Sequence, residues 1–313
     1  MKPDQILNLK LYKTMHLIRA AQEAIGKRYL KDEMKTPIHM SMGEEAIAAG
    51  ICQALKKTDQ VFGYYRSHAL YIAKTHEVEH FFGELYGKKT GALQGRGGSM
   101  HLASPKHGFM LSSAIVASTI APAIGAAFAN LKKKNNRIVV SFFGDGAIEE
   151  GVFFESLNMA SLMKLPIIFV CQDNGLAADI DRTRRQGFIS IPKIASSFNC
   201  HVLESDGFDP HNIYTLTKKA INLIYQTQKP VFMYLSYHRM SEHMGVGLYN
   251  DAMVDGNRDP VLSMRKKLQD AGNSIEIKKI EKENNKKVAL AIRLAKKAKS
   301  PKPADLYKHV FAR

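Results

Sequence analysis

Tryptophan is absent from the 313 residues, and cysteine occurs only three times, at Cys52, Cys171 and Cys200. Their wide spacing fits neither a metal site nor a disulfide framework, so the sequence predicts reduced thiols in a cytoplasmic protein. No apolar run approaches the ~20 residues that cross a bilayer, which argues against a membrane span. The start, MKPDQILNLKLYKTM, lacks the continuous apolar segment of a secretory signal. Acidic residues are also scarce, 29 against 45 Lys and Arg, for a net charge of +16. Residues 262–313 hold 15 of the basic and 5 of the acidic residues. A basic tail can bind nucleic acid. Here it has no interleaved aromatics, and its apolar positions (Val288, Leu290, Ile292, Leu294) belong to a helix. The expectation is a solvated helix face or a surface for an acidic partner, not a nucleic-acid site.

What is present is organised around residues 137–180. Ile138 to Phe143 is a short run of β-branched and aromatic residues, ended by Gly144-Asp145-Gly146. Gly151 to Met163 then places Phe154, Leu157, Met159 and Leu162 at helical spacing. Pro166 breaks that helix, and Ile167 to Cys171 reads as a second buried strand. A right-handed βαβ unit follows, with Asp145 and Asn174 at the carboxyl ends of strands, where open α/β sheets bind ligands. A carboxylate and an amide oxygen are hard ligands that fit Mg2+ or Ca2+ far better than Zn2+, and a Mg2+ shell is completed by phosphate and water. The helix after Gly146 offers free N–H groups to an anion. The competing reading is a plain strand–helix turn capped by Asp145.

The GDG tripeptide, followed by a helix, a strand and a terminal Asn, resembles the thiamine-diphosphate motif. The stretch FFESLNMASLMKLPIIFVCQDN is similar to the alpha subunits of thiamine-diphosphate-dependent 2-oxo acid dehydrogenases of the pyruvate, branched-chain and acetoin types. The resemblance runs from about residue 5 to the end. It includes MGEEA at Met42 to Ala46, YRSH at Tyr65 to His68 and GRGGSMH at Gly95 to His101. It implies an α/β thiamine-diphosphate-binding fold, a parallel sheet flanked by helices on both faces. That fold forms a single domain over 1–313, with helical N-terminal (1–35) and basic C-terminal (258–313) extensions.

The resemblance also assigns residues. Thiamine diphosphate is expected to meet Tyr65, Arg66, Ala114, Val116, Gly144, Asp145, Gly146, Ala147, Asn174 and His243. Mg2+ is expected on Asp145, Asn174 and the backbone carbonyl of Leu176, where relatives usually carry Tyr. The basic segment Asp181 to Gly187 offers several arginines, one of which could reach a phosphate. The glycine-rich stretch Gly91 to His101 reads as a loop, a weak phosphate-loop signal by itself. His101 at its end is expected to face substrate. His39 would lie near the cofactor's mouth. The family's catalytic-loop histidine, in a Tyr-Arg-x-x-Gly-His-Ser context, finds its counterpart in His243, offset by one inserted residue. An ungapped alignment keeps Ser241 and puts Met240 at the histidine. In the gapped alignment the serine is missing. His238 is a second candidate for the loop role.

Other elements are read from pattern. Leu7, Leu11, Met15, Ile18 and Ile25 form one apolar helical stripe. Val61 to Tyr65 reads as a strand, Ile120 to Asn130 as an alanine-rich helix, and His201 to Leu203 as a strand. Asn212 to Thr227 is an amphipathic helix, and Pro230 to Tyr237 holds the last strand of the sheet.

The implied activity is decarboxylation of a 2-oxo acid, or cleavage of acetoin, with transfer of the acyl group to a lipoyl carrier. In such enzymes the glutamate that activates the cofactor comes from a beta chain. The expectation is therefore an alpha subunit active only with a transketolase-like beta subunit, as an alpha2beta2 heterotetramer, with a lipoyl acyltransferase as a further partner. Two alternatives stand beside it. One is a two-chain carboligase or transketolase-like enzyme acting on a sugar or other anabolic substrate. The other is a non-catalytic basic binding protein.

Overall fold

The computed structural model describes residues 3–188, 190–248, 259–308 and residue 310. Residues 1–2, 258, 309 and 311–313 of the two predicted terminal extensions lie outside the described residues. In chain order the elements are α1 (Pro3–Tyr29), α2 (Glu45–Ala54), β1 (Gln60–Phe62), α3 (His68–Thr75), α4 (Val78–Leu85), β2 (Phe109–Leu111), α5 (Ile120–Lys133), β3 (Val139–Gly144), α6 (Gly151–Leu162) and β4 (Ile167–Asp173). There follow β5 (Leu176–Ala177), β6 (Ile180–Asp181), α7 (Ile191–Ser197), β7 (His201–Ser205), α8 (Pro210–Thr227), β8 (Val231–Ser236), α9 (Pro260–Asp270) and α10 (Ser274–Lys297).

Six strands pair in the order β2-β1-β3-β4-β8-β7, and every neighbouring pair is parallel. Parallel strands need crossovers, so helices cover both faces and the central strands β3 and β4 are buried along nearly their whole length. All seven residues of β4 are buried. Alternation splits its side chains between two cores. Val140, Phe142, Ile168 and Val170 join a cluster with α1, α2, α3, α4, α8, α9 and α10. Val139, Phe143, Phe169 and Cys171 join a second cluster with α5, α6 and α7. The predicted α1 stripe lies in the first core: Leu11, Met15, Ile18 and Ile25 are buried and Leu7 packs at its edge.

Four details depart from the pattern reading. First, β1 ends at Phe62 rather than Tyr65: Gly63 N donates to Leu111 O, and the Tyr64 amide is turned to Ser67 Oγ. Second, α1 stops at Tyr29, short of residue 35. Third, β8 is last in sequence but lies inside the sheet, between β4 and β7. Fourth, no α-helix begins at Gly146. A 3-10 turn over Asp145–Glu149 intervenes, and α6 starts at Gly151. The anion-binding helix end expected next to the aspartate is displaced by one tight turn.

Basic α10 packs along α1 and α4, with Ile277, Ile280, Val288, Ala291, Ile292 and Ala295 buried. Asp259 caps α9 through the amides of Val261 (2.8 Å) and Leu262 (3.1 Å), and its carboxylate also pairs with buried Arg19 at 2.6 Å. Among the described residues, no helix is long and apolar enough to cross a membrane.

Candidate active site

A cleft of about 400 Å³ opens at the carboxyl ends of β1, β3 and β4. The parallel register that aligns Gly144 with Gln172 brings the ends of β3 and β4 side by side, so Asp145 and Asn174 both reach this cleft. Asp145 is 1% exposed. Burial, and then the neighbouring charge of Asp173, push its carboxyl up to about 6 despite an ion pair with Arg185. A buried carboxylate this costly to ionise is suited to a cation. Asn174 makes an Asx turn: its Oδ1 accepts from Leu176 N at 2.9 Å, and its Nδ2 donates to the Tyr237 hydroxyl at 2.8 Å. One lone pair of Oδ1 stays available.

Three aromatic rings far apart in sequence meet at the same cleft. His39 lies 4.8 Å from Tyr65 and 5.2 Å from His243 between ring centroids, and Tyr65 lies 5.7 Å from His243. Burial, Arg66 and His243 push the His39 imidazole down to about 3. Burial and Arg66 lower His243 as well. Both rings are thus held toward the neutral form, able to donate at one nitrogen and accept at the other.

A model of the dehydrogenase E1 component matches residues 12–304. The chain belongs to the dehydrogenase E1 component family. It is 32% identical to the chloroplastic pyruvate dehydrogenase E1 component subunit alpha-3 of Arabidopsis thaliana, over 97% of this chain and 74% of that one. The E1 alpha subunits of Porphyra purpurea (31%) and Rhizobium meliloti (30%) each align over 97% of this chain, and over 92% and 90% of their own lengths.

Within this E1 chain, the cleft is lined by Tyr65, Arg66, Ala114, Val116, the turn from Gly144 to Ala147, Asn174, Leu176 and His243. All were named from the sequence. His101 is not among the lining residues; its neighbour Met100 takes that place. His238 lines a separate cavity of about 600 Å³, beyond Asn174 and Tyr237, which lacks Asp145. Of the two loop histidines, His243 is the one on the cleft.

Arg66 lines the cleft but is also held by the protein's own groups. Arg66 is 1% exposed and its guanidinium is already engaged: it donates to Met40 O at 2.8 Å and to His243 O at 3.2 Å, with Glu44 3.7 Å from its Nε. It fixes the loop bearing His243 to the segment before α2. Of the arginines at 182–185, Arg185 is the one at the aspartate, bridging Asp145 and Glu149. Gln186 reinforces that bridge by donating to Asp145 O (3.1 Å) and to Glu149 (2.9 Å). Arg182 instead pairs with Asp173.

The glycine-rich loop is not a phosphate loop. Its amides are spent on the protein's own carboxylate. Glu84 is 1% exposed and accepts from Leu93 N (2.7 Å) and Gly95 N (3.0 Å) on one oxygen, and from Gly97 N (2.6 Å) and Gly98 N (3.1 Å) on the other. Gly95 and Gly98 adopt positive φ (76° and 65°), the αL geometry that lets successive amides converge.

Sequence reasoning also missed Gln172. It lines the cleft, is 1% exposed, and neither side-chain atom has a hydrogen-bond partner. An orphaned buried amide is costly, so this wall suits a polar ligand. Only its position, one residue from the end of a central strand, was legible in advance.

Proposed function

We propose that this E1 chain is the alpha subunit of a thiamine-diphosphate- and Mg2+-dependent 2-oxo acid dehydrogenase, handing its acyl product to a lipoyl carrier. The observation that carries the reading is the convergence of buried Asp145 and half-buried Asn174 at the ends of adjacent strands. A carboxylate and an amide oxygen beside a cleft with an unsatisfied polar wall fit a metal-bridged diphosphate. Asp145, Asn174 and the Leu176 carbonyl would hold the metal. When bound, thiamine diphosphate supplies the carbon nucleophile and the electron sink for decarboxylation.

The chain's own residues bind and orient. Val116 gives the cleft an apolar wall, and neutral His39 and His243 flank Tyr65 where a carbonyl or hydroxyl group can be hydrogen-bonded. His101 is kept as a candidate for substrate contact, next to cleft-lining Met100.

Two features support the need for a beta-type partner. The motif glutamates are engaged elsewhere: Glu45 with Arg19 and the Gly43 amide, Glu44 with Tyr64 and Tyr237. Apolar side chains adjoining the cleft residues also remain open, with Ile115 70%, Val116 44% and Met244 58% exposed. Such patches mark interfaces. Three free cysteines, two of them buried, accord with a reducing compartment such as the cytoplasm.

Replacing Asp145 with Ala should abolish Mg2+-dependent cofactor binding in the assembled enzyme while leaving the fold intact, as read by calorimetry with thiamine diphosphate. Unchanged affinity would refute the metal assignment.

A further inference from the structure

We infer that Tyr237 and Glu44 form a brace that positions Asn174 for the metal, a role resting on the reading of Asn174 as a ligand. Three segments meet in it. Glu44 immediately precedes α2, Tyr237 follows β8 and Asn174 follows β4. The Tyr237 hydroxyl donates to Glu44 Oε1 at 2.6 Å and accepts from Asn174 Nδ2 at 2.8 Å.

A phenol has one proton. Once that proton is given to Glu44, the hydroxyl can only accept from Asn174. The amide nitrogen is thereby held toward Tyr237, and the amide oxygen toward the Leu176 amide and the cleft. A flipped amide would present N–H groups to a cation and set a donor against the Leu176 N–H. The anchor is itself rigid. Glu44 is fully buried, and the same oxygen accepts from the Tyr64 hydroxyl at 2.9 Å, with the Arg66 guanidinium 3.7 Å away. Tyr237 is tied again through its backbone, Tyr237 N donating to Asp173 O at 2.8 Å.

Groups that orient a metal ligand from behind typically change metal affinity by about 10–100-fold when removed. The Leu176 amide still restrains Asn174 here, so the lower end of that range is expected.

The test is a Mg2+ titration of thiamine diphosphate binding to the assembled enzyme. Tyr237→Phe should raise the Mg2+ half-saturation about tenfold. Cofactor affinity at saturating Mg2+ and thermal stability report separately on general damage. Glu44→Leu should act in the same direction. Glu44→Gln keeps an oxygen acceptor and should restore near wild-type Mg2+ dependence, a rescue that mere loss of packing cannot produce. If Tyr237→Phe fails to fold, the contrast between the two Glu44 variants decides the matter. An unchanged half-saturation in Tyr237→Phe, alongside lost Mg2+ dependence in Asn174→Ala, overturns the brace and leaves the metal reading standing. Unchanged Mg2+ dependence in Asn174→Ala removes the metal reading and the brace with it.

Discussion

At the scale of single residues, the chemistry turns on carboxylates removed from water. Burial, against the opposing pull of Arg66 and two tyrosine hydroxyls, pushes Glu44 up to about 7. Its Oε2 has no hydrogen-bond partner, so a proton can sit there while Oε1 keeps its phenols. The unfolded chain loses this proton near pH 4.5, the native state only near 7. Between those values the folded protein binds more protons than the unfolded one, so this group's contribution to stability falls as pH rises. The total is about 3 kcal/mol. Glu44→Gln should therefore gain stability relative to wild type between pH 5 and 7.5, measured by urea unfolding at both values. A pH-independent difference would contradict the buried, proton-holding role. Residues such as Asp145 and Asn174 were legible because they punctuate apolar strands. Glu44, Tyr237 and Gln172 were not. Glu44 and Tyr237 owe their roles to a contact between residues 193 apart, and Gln172 to an empty space, and neither leaves a local pattern in sequence.

At the scale of elements, the strand–turn–helix around Asp145 was readable in outline, because a six-residue apolar strand and a proline-ended helix have distinct periods. The 3-10 turn between them was not readable. Arg185 and Gln186 tie it down from about forty residues away, at Asp145 and Glu149. The glycine-rich loop carries a similar lesson. Composition identified it as a loop and suggested phosphate, but the anion it cradles is Glu84, from α4. Glu84→Ala should leave four amides without an acceptor. Hydrogen exchange at Leu93, Gly95, Gly97 and Gly98 is expected to accelerate, with a loss of about 2–4 kcal/mol in stability. Unaltered protection at these four positions would mean that the loop holds itself.

At the scale of the whole molecule, the helix–sheet–helix architecture follows from strands buried on both faces, and that much the sequence carried. Strand order was beyond it, since placing β8 between β4 and β7 is a matter of crossover geometry. The chain aligns over 74–92% of the length of the three E1 alpha relatives, yet apolar side chains at the cleft stay exposed, and its two motif glutamates are bonded inward. On the proposed reading, the chain supplies the diphosphate and metal site and needs a second chain to complete the catalytic centre. The most direct check is turnover of a 2-oxo acid by the purified chain, with thiamine diphosphate and Mg2+, before and after addition of a beta-type chain from the same host. The account predicts little turnover alone and robust turnover in the mixture. Robust turnover by the chain alone would contradict it.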